Sequence, residues 1–335
     1  MGVTTFDVIV IGAGPAGEVL AGRLAGQGHQ VAIVESELVG GECSYWACMP
    51  SKALLRPAGA LAEARRVPGA AQAFTGELDV EAVLARRDQI TGGLDDSGQV
   101  PWLKSRGVTL IRGHGRLDGE LRVRVGAAVF QARRAVVIAT GSGAALPPIP
   151  GLAEARPWTN REATTAGTIP RRLLVLGGGV VGVEMAQAYA TLGSRVTVIE
   201  AGQRLLPREE PFAGEELRQA LTGRGVDVRT GVRATAVRRH GAQVTVTWSD
   251  GREVRGEEIL VVAGRRPRTQ DLGLETVGPS PRPVGRGHRH PGRSRPAVAV
   301  CDRRRQRALA ADPHGQIPGA RAVGDPRRPR GHGQR

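Results

Sequence analysis

The sequence has few cysteines, no long apolar run and, near its C-terminus, no lysine or aromatic residue. Three cysteines in 335 residues cannot form a disulfide framework, so a closely spaced pair indicates redox or metal chemistry. No run approaches the ~18 apolar residues that a membrane-spanning helix requires. Val8–Ile11 is too short for a secretion signal and runs directly into glycines. We therefore expect a cytoplasmic protein with no membrane partner.

The residues from Pro279 to Arg335 contain no lysine, glutamate or aromatic residue. Their 14 arginines and three aspartates account for +11 of the net charge of +15. Nine of the 22 prolines also lie there, and this composition predicts a disordered tail. Because the tail lacks lysines and base-stacking side chains, a nucleic-acid-binding protein on an inactive scaffold is the weaker of two functional hypotheses.

The N-terminal segment predicts a nucleotide-binding βαβ unit. The apolar run Val8–Ile11 leads into Gly12-x-Gly14-x-x-Gly17, a helix of small residues and a second strand that ends at Glu35. In such a turn the first glycine permits the bend and the second lets backbone approach a pyrophosphate. The third lets helix and strand pack closely, and the acid accepts from ribose hydroxyls. The alternative is a glycine-rich turn in another kind of βαβ unit.

The same pattern returns 165 positions later, at Gly177, Gly179, Gly182 and Glu200. Two such units predict two dinucleotides, or electron transfer between them. A carboxylate at Glu200 pairs with a free 2′-hydroxyl and repels a 2′-phosphate, which favours NADH over NADPH. Arg204 lies nearby in the sequence and weakens this preference.

We expect an α/β protein with two Rossmann-like dinucleotide-binding domains. An apolar strand ends at Ala139–Gly141, and the proline-rich exit that follows predicts a boundary near Gly151. Val226–Val254 alternates apolar and polar residues and predicts strands of the second domain. A further apolar run leads to Gly264–Pro267. The expected limits are residues 1–150, 151–278 and, for the tail, 279–335.

Cys43 and Cys48 lie five positions apart. In a regular helix this spacing separates the two Cα atoms by roughly 8–9 Å, whereas a disulfide needs less than about 7 Å. Pro50 cannot donate to the carbonyl of Trp46 and disfavours regular helix, so the segment can bring the sulfurs together. Lys52 follows Cys48 by about one helical turn and could stabilise its thiolate.

Two other interpretations of the cysteine pair stay open. A zinc site needs four ligands, and no second Cys or His pair lies nearby in the sequence, so we expect no metal. Two buried thiols that are not linked are the other alternative.

These features together resemble the pyridine nucleotide-disulfide oxidoreductases, which include dihydrolipoamide dehydrogenase, glutathione reductase and mercuric reductase. The resemblance covers residues 1 to about 278, and its most specific part is the cysteine motif. The matching residues are Gly12, Gly14, Gly17 and Glu35, the stretch Gly40–Lys52, Thr140 and Gly141, Gly177, Gly179 and Gly182 with Glu184, and Gly264–Pro267.

The resemblance implies that the first unit binds FAD and the second NAD. Further cofactor contacts would come from Gly41, Lys52, Gly115, Thr140 and Gly141 in the first unit, and from Gly264 and Arg265 in the second. Because Glu200 favours NAD, dihydrolipoamide dehydrogenase is the branch that the sequence resembles most.

The resemblance also implies catalytic roles. Cys48 would exchange electrons with the flavin, and Cys43 would attack the external substrate. Lys52 would lie near the reactive flavin nitrogen, paired with Glu184. The expected activity is FAD- and NAD-dependent oxidation of a small dithiol such as dihydrolipoamide, by a family that forms homodimers.

Three positions depart from the family pattern: Tyr45 and Arg268 replace the usual Asn, and Ala47 replaces the usual Gly. These departures bear on the identity of the substrate more than on the redox mechanism. Mercuric reductase-like and glutathione reductase-like activities therefore stay as alternatives. Neither the extra metal-binding module nor the terminal Cys pair of many mercuric reductases is visible.

The family pattern ends at Gly278. The family would need an Ala-x-Gly-Asp there, whose Asp binds the flavin, and a dimerisation domain that supplies a His–Glu acid/base pair. Ala322–Asp325 imitates the former without a preceding apolar strand. Because the composition changes abruptly, we also expect that the tail is read in a shifted frame. Read one base later with permitted codons, VAVCDRRRQR can yield WLYATGDVNG, a strand followed by Gly-Asp.

Overall fold

The computed structural model describes residues 3–277 and the backbone of Ala297–Val300. The first sheet contains β1 (Thr4–Ile11), β2 (Val31–Glu35), β3 (Val108–Arg112), β4 (Gly115–Leu117), β5 (Arg122–Val125), β6 (Ala128–Ile138) and β16 (Ala297–Val300). Its order is β3-β2-β1-β6-β5-β4, with β16 beside β6. β1 pairs in parallel with β2 and β6, and β3 in parallel with β2. β4 and β5 form an antiparallel extension.

The second parallel sheet contains β8 (Arg172–Leu176), β9 (Arg195–Glu200), β10 (Asp227–Thr230) and β14 (Glu258–Val261). Its order is β10-β9-β8-β14. A separate antiparallel sheet is formed by β11 (Ala234–His240), β12 (Gln243–Trp248) and β13 (Glu253–Gly256). The predicted strands between Val226 and Val254 therefore lie partly in the parallel sheet and partly in a layer that covers it.

The helices are α1 (Pro15–Gly26), α2 (Gly41–Tyr45), α3 (Cys48–Arg65), α4 (Val80–Ile90), α5 (Val100–Ser105), α6 (Asn160–Thr165), α7 (Val180–Thr191) and α8 (Pro211–Thr222). In the part of the chain that the structure describes, none of them has the length and apolar character to cross a membrane.

Alternate residues of β8 face opposite layers, as the pleat of a strand requires. Leu173 and Val175 belong to the apolar cluster that contains Tyr189 of α7. Leu174 and Leu176 belong to the cluster formed with the β11–β13 sheet. Because both faces are covered, the strand reads as a continuous apolar run.

Helix α3 packs against α7 and α4 packs against α3, although both precede α7 by about a hundred residues. Leu54 of α3 and Val83 and Leu84 of α4 share a cluster with Met185 and Tyr189 of α7. Burial of these side chains therefore joins the segment that follows the cysteines to the second unit. The domain limits at residues 150 and 278 stay a prediction.

Two short strands cross between the units. β7 (Ser142–Ala144) pairs in antiparallel fashion with β15 (Arg265–Pro267). β7 follows β6 of the first sheet and β15 follows β14 of the second, so the exits of these two strands are hydrogen-bonded to each other. The Gly264–Pro267 segment, which the sequence predicts at the end of the second unit, therefore also contacts the exit of the first unit.

Four residues of the tail, Ala297–Val300, form β16. This strand pairs in parallel with β6 from Ala135 to Ile138. β5 pairs only with the other half of β6, from Ala128 to Gln131, so the C-terminal half offers an edge to a further strand. Ala322–Asp325 lies outside the described residues.

Candidate functional site

The first glycine turn joins β1 to α1 and leaves no room for a side chain at two of its glycines. Gly12 has φ +105°, and a Cβ there would lie 2.6 Å from the carbonyl oxygen of Ala139. A Cβ on Gly17 would lie 1.9 Å from the carbonyl oxygen of Gly12. Strand and helix approach this closely only because both residues are glycine.

Gly14 differs, because a Cβ there would meet no protein atom within 4 Å. It is the N-cap residue of α1, has extended backbone and makes no side-chain cap. A helix N-terminus presents backbone N–H groups and the positive end of the helix dipole. The open space beside Gly14 is therefore a cradle that suits a phosphate group.

Glu35, at the end of β2, is held by two backbone donors. Its Oε2 accepts from the N–H of Ala13 and its Oε1 from the N–H of Glu37, each at 2.7 Å. The residue is 9% exposed and lines the same cleft as Gly12 and Gly14. Each carboxylate oxygen keeps capacity for a further hydrogen bond, as a ribose hydroxyl requires.

The second glycine turn repeats this geometry. Gly177 has φ +121°, a Cβ on Gly182 would lie 1.9 Å from the Gly177 carbonyl oxygen, and a Cβ on Gly179 would meet nothing. Glu200 accepts from the N–H groups of Gly178 and Gly202, each at 2.6 Å. These donors lie 165 positions after Ala13 and Glu37, the same offset as the glycines. The sequence repeat is thus also a repeat of hydrogen bonds.

Equivalent strand ends close the two turns. A Cβ on Gly12 would meet the Ala139 carbonyl and the Thr140 N–H, whereas one on Gly177 would meet those of Val262 and Ala263. Thr140 and Gly141 of the first unit therefore correspond to Ala263 and Gly264 of the second. Gly264 therefore directly follows Ala263, which borders the second turn.

Seven residues predicted to contact FAD line one cleft at the carboxyl end of the first sheet, where α/β proteins bind ligands. They are Gly12, Gly14, Glu35, Gly41, Gly115, Thr140 and Gly141. A Cβ on Gly41 would lie 2.9 Å from the Cα of Gly14, and one on Gly115 would lie 3.0 Å from a methyl group of Val34. Glycine at these positions keeps the cleft open.

The cysteine segment contains the helix break that its sequence predicts. Cys43 lies in α2 and Cys48 is the first residue of α3. The helix stops between them, at Trp46 and Ala47, and Ala47 has φ −140° and ψ −94°. Pro50 lies in the first turn of α3, where a missing N–H is tolerated. The break therefore lies at the carbonyl that Pro50 cannot reach, and both cysteines are half-buried.

Residues 6–280 match the model of the pyridine nucleotide-disulphide oxidoreductase family. The chain belongs to this family. A dihydrolipoyl dehydrogenase of Thermus scotoductus is 38% identical to it over 281 residues, covering 82% of this chain and 60% of that protein. A mercuric reductase of Streptomyces lividans is 35% identical over 288 residues, covering 82% and 60%.

A solved structure shows the same fold. The Cu(II) complex of the HOCl-induced flavoprotein disulfide reductase RclA from Escherichia coli matches with a TM-score of 0.72 at 26% identity, covering 83% of this chain and 60% of that one. The predicted family and its α/β fold are confirmed. The chain spans about 60% of the length of these relatives.

Lys52 and Glu184 lie on α3 and α7, which pack against each other. Lys52 is exposed and Glu184 is half-buried. Among the residues that the structure describes, no ion pair joins them. Their pairing, a property that the family resemblance implies, stays a prediction.

Sequence reasoning missed a group of charged and polar side chains that surrounds the cysteine segment. We name it the Glu42 cluster; its members are Glu37, Glu42, Asn160, Arg161, Arg265 and Arg268. One local signal was present, because Thr159-x-x-Glu162 is a capping box that marks the start of α6. Nothing local indicates that this helix start meets Glu42.

Arg265, which is predicted to contact NAD, belongs to the Glu42 cluster and contacts β7. Its Nε donates to Ser142 Oγ at 2.9 Å, and its guanidinium lies 3.5 Å from Glu42. Arg268, which replaces the family's usual Asn, lines the same cleft as Gly12 and Gly14 and donates to Glu42 at 3.0 Å. Arg268 thus has a charged partner, Glu42, at a position where the family usually has Asn.

Tyr45 also has its own partners. The residue is 2% exposed, and its hydroxyl accepts from Gln99 Nε2 at 3.1 Å. The same loop supplies Asp96, whose Oδ2 accepts from the N–H of Val39 at 2.7 Å. Tyr45 therefore ties α2 to the loop before α5. In the described ranges, 3–277 and 297–300, no cluster of three or more His, Cys, Asp or Glu side chains could hold a metal ion.

Proposed function

We propose that the protein is an FAD- and NAD-dependent dithiol/disulfide oxidoreductase of the dihydrolipoamide dehydrogenase type. The observation that carries this proposal is the repeated geometry of the two glycine turns, together with a cysteine pair at a helix break. Two dinucleotide cradles and one dithiol are the parts that a relay between a nicotinamide and an external dithiol requires. The family membership and the dihydrolipoyl dehydrogenase relative support it.

The residues of the first cleft suit FAD. Gly14 would accept the pyrophosphate at the start of α1, and Glu35 would accept from the adenosine ribose. Gly41, Gly115 and Gly141 would leave space for the rest of the molecule. When bound, the flavin supplies two-electron transfer between nicotinamide and disulfide.

The second glycine turn suits NAD(H) by the same reasoning. Gly179 would accept the pyrophosphate, and Glu200, already held by two backbone donors, would accept from the ribose hydroxyls. The carboxylate would repel a 2′-phosphate, so we propose NADH rather than NADPH.

The proposed substrate chemistry conserves atoms and electrons. One substrate thiolate would attack Cys43 Sγ, forming a mixed disulfide and releasing Cys48 as a thiolate. The second substrate thiolate would attack the substrate sulfur of the mixed disulfide, closing the cyclic product and releasing the Cys43 thiolate. The dithiol substrate loses two electrons and two protons. NAD⁺ accepts the electrons with one proton as hydride, and the second proton is released. Cys48 would face the flavin, and Lys52 would stabilise its thiolate.

The test counts thiols before and after reduction by NADH in protein loaded with FAD. We expect two additional reactive thiols, which Cys43→Ser removes. Cys301→Ser, which changes the third cysteine, is the matched control and should retain both. A thiol count that does not change on reduction would contradict the proposal.

The substrate is tested by measuring turnover with three pairs of reactants. These pairs are dihydrolipoamide with NAD⁺, glutathione disulfide with NADPH, and mercuric ion with NADPH. We propose lipoamide as the substrate, and the mercuric reductase relative keeps the last as the second candidate. A homodimer in the cytoplasm is proposed from the family. The family's His typically contributes ~10²–10⁴-fold in rate, so turnover should be low if its domain is missing.

The nucleic-acid hypothesis has its own outcome. Retention of the protein by heparin that is lost when residues 279–335 are removed would favour it, provided that the body also binds no flavin. A body that binds FAD and shows the thiol change favours the oxidoreductase.

A further inference from the structure

The carbonyl of Trp46 has an unusual partner. In a regular helix this carbonyl would accept from residue 50, but Pro50 has no N–H. The side-chain amide of Asn160 donates to it instead, at 2.7 Å. The same amide nitrogen donates to Glu42 Oε2 at 2.9 Å. One buried side chain, 5% exposed, therefore holds α2 and the helix break together.

Arg161 also contacts both α2, through Glu42, and the helix break, through Trp46. Its Nε donates to Glu42 Oε1 at 2.7 Å, and its guanidinium carbon lies 3.9 Å from the centre of the Trp46 ring. Its terminal nitrogens donate to both carboxylate oxygens of Glu37. Such a planar, bidentate and stacked arrangement fixes orientation in a way that a lysine cannot reproduce.

Glu42 is the centre of these contacts and the neighbour of Cys43. Its side chain is 11% exposed, and Arg268 donates to it at 3.0 Å. Burial raises the pKa of Glu42, but hydrogen bonds from Asn160 and Arg161 outweigh burial and hold the pKa below its usual value. The carboxylate is therefore ionised at neutral pH and keeps its partners.

We propose that the Glu42 cluster is a positioning device for the dithiol, in which Glu42, Asn160 and Arg161 fix the α2–α3 break and thereby the spacing of Cys43 and Cys48. This inference rests on the proposed function, in which the two cysteines form the redox pair. Two thiols held at bonding distance have a high effective concentration, which favours the disulfide. Loosening the break lowers that concentration and favours the dithiol.

The experiment measures the equilibrium between disulfide and dithiol in the FAD-loaded full chain. The protein is equilibrated with mixtures of reduced and oxidised dithiothreitol, trapped by alkylation and read by mass. Closing the disulfide forms one S–S bond and passes two electrons and two protons to oxidised dithiothreitol, which becomes its dithiol. The variants are Glu42→Gln, which removes the charge, and Asn160→Ala, which leaves the charge unchanged.

We expect both variants to lower the equilibrium constant for disulfide formation by about tenfold, which is about 30 mV for a two-electron couple. Glu63→Gln is the matched control, because Glu63 lies on α3 and pairs with Arg56 where both side chains are more than half exposed. It should leave the constant unchanged. If either variant fails to fold, Arg161→Lys keeps the charge, removes the bidentate contact and should shift the constant in the same direction.

Three results would overturn the inference. Constants within twofold of the parent in the variants would show that the cluster does not position the dithiol. A shift in Glu42→Gln without one in Asn160→Ala would show that charge, not position, is responsible. A parent protein that forms no disulfide at any ratio would overturn the proposed function as well, so the two failures are distinguishable.

Discussion

Gly14 and Gly17 lie three residues apart in the first turn, yet they are glycine for different reasons. Gly17 is required by the fold, because a Cβ there would lie 1.9 Å from a carbonyl oxygen. Gly14 has no protein neighbour within 4 Å of that position. A requirement for glycine at Gly14 therefore has to come from the ligand.

Gly14→Ala tests that distinction. The backbone at Gly14, with φ −75° and ψ 177°, suits alanine, so we expect the free energy of unfolding to change by less than about 1 kcal/mol. The FAD dissociation constant should rise at least ~tenfold, which corresponds to ~1.4 kcal/mol. Flavin fluorescence titration measures it. Gly26→Ala, in α1 and equally open, is the control, and equal FAD affinity in both variants would contradict the assignment.

Glu18 is a second residue whose surroundings change its chemistry. Burial, together with the charge of Glu35, raises the pKa of Glu18 from 4.5 to about 7. The folded chain then binds more protons than the unfolded chain between these pH values. This contribution to stability is complete below pH 4.5 and is lost as the pH rises through 7.

Glu18→Gln should therefore stabilise the cofactor-free protein at pH 8 relative to pH 4.5. At ~1.36 kcal/mol per pKa unit, and with a discount because Glu18 is only partly buried, we expect a relative gain of about 1–3 kcal/mol. Denaturant unfolding at the two pH values measures it. Glu63→Gln controls for the loss of a surface charge. A gain of equal size at both pH values would show that Glu18 is not the titrating group.

At the scale of elements, β2 and β9 end in the same device. Each ends in a glutamate whose two oxygens accept from the backbone, one from the glycine turn and one from the residue two positions later. The carboxylate is thus oriented before any ligand arrives, which reduces the ordering cost of binding. We expect β2 and β9 to differ only in the dinucleotide that each one binds.

Glu200→Gln should shift nicotinamide preference towards NADPH. Removing the negative charge removes the repulsion of a 2′-phosphate, so the ratio of the NADPH and NADH dissociation constants should change by about tenfold or more, or ~1.4 kcal/mol. Fluorescence titrations with both nucleotides measure the ratio. Glu35→Gln, the equivalent change in β2, should weaken FAD binding and leave the ratio unchanged. A constant ratio in Glu200→Gln would remove the basis for NADH preference.

At the scale of the whole molecule, β16 brings the tail back to the first sheet. It lies beside the end of β6 that leads to Thr140 and Gly141. In the alternative reading frame, this position would encode an apolar strand followed by Gly-Asp. A strand is therefore compatible with either frame at this place.

Sequencing of the gene around codons 275–285, from independently prepared DNA, tests the shifted frame. We expect a one-base discrepancy, after which the family pattern resumes. The reason is the abrupt loss of glutamate after Gly278 while arginine, proline and glycine persist. An unbroken frame would contradict the hypothesis and leave a divergent tail as the explanation.

The sequence by itself determined the two glycine turns, their glutamates and the break near Pro50. These features are local: a glycine turn and its acid lie within about 25 residues, and steric and hydrogen-bonding rules act at that range. The two turns and their repeat could therefore be predicted from the sequence.

Only the tertiary structure decided which distant segments meet the cysteines. Asn160 lies 114 residues from Trp46, and Arg268 lies 226 residues from Glu42. The packing of α3 on α7 and the pairing of β7 with β15 bring them together. No local pattern encodes these contacts, because they depend on how apolar faces and strand edges of separate elements are buried at the same time.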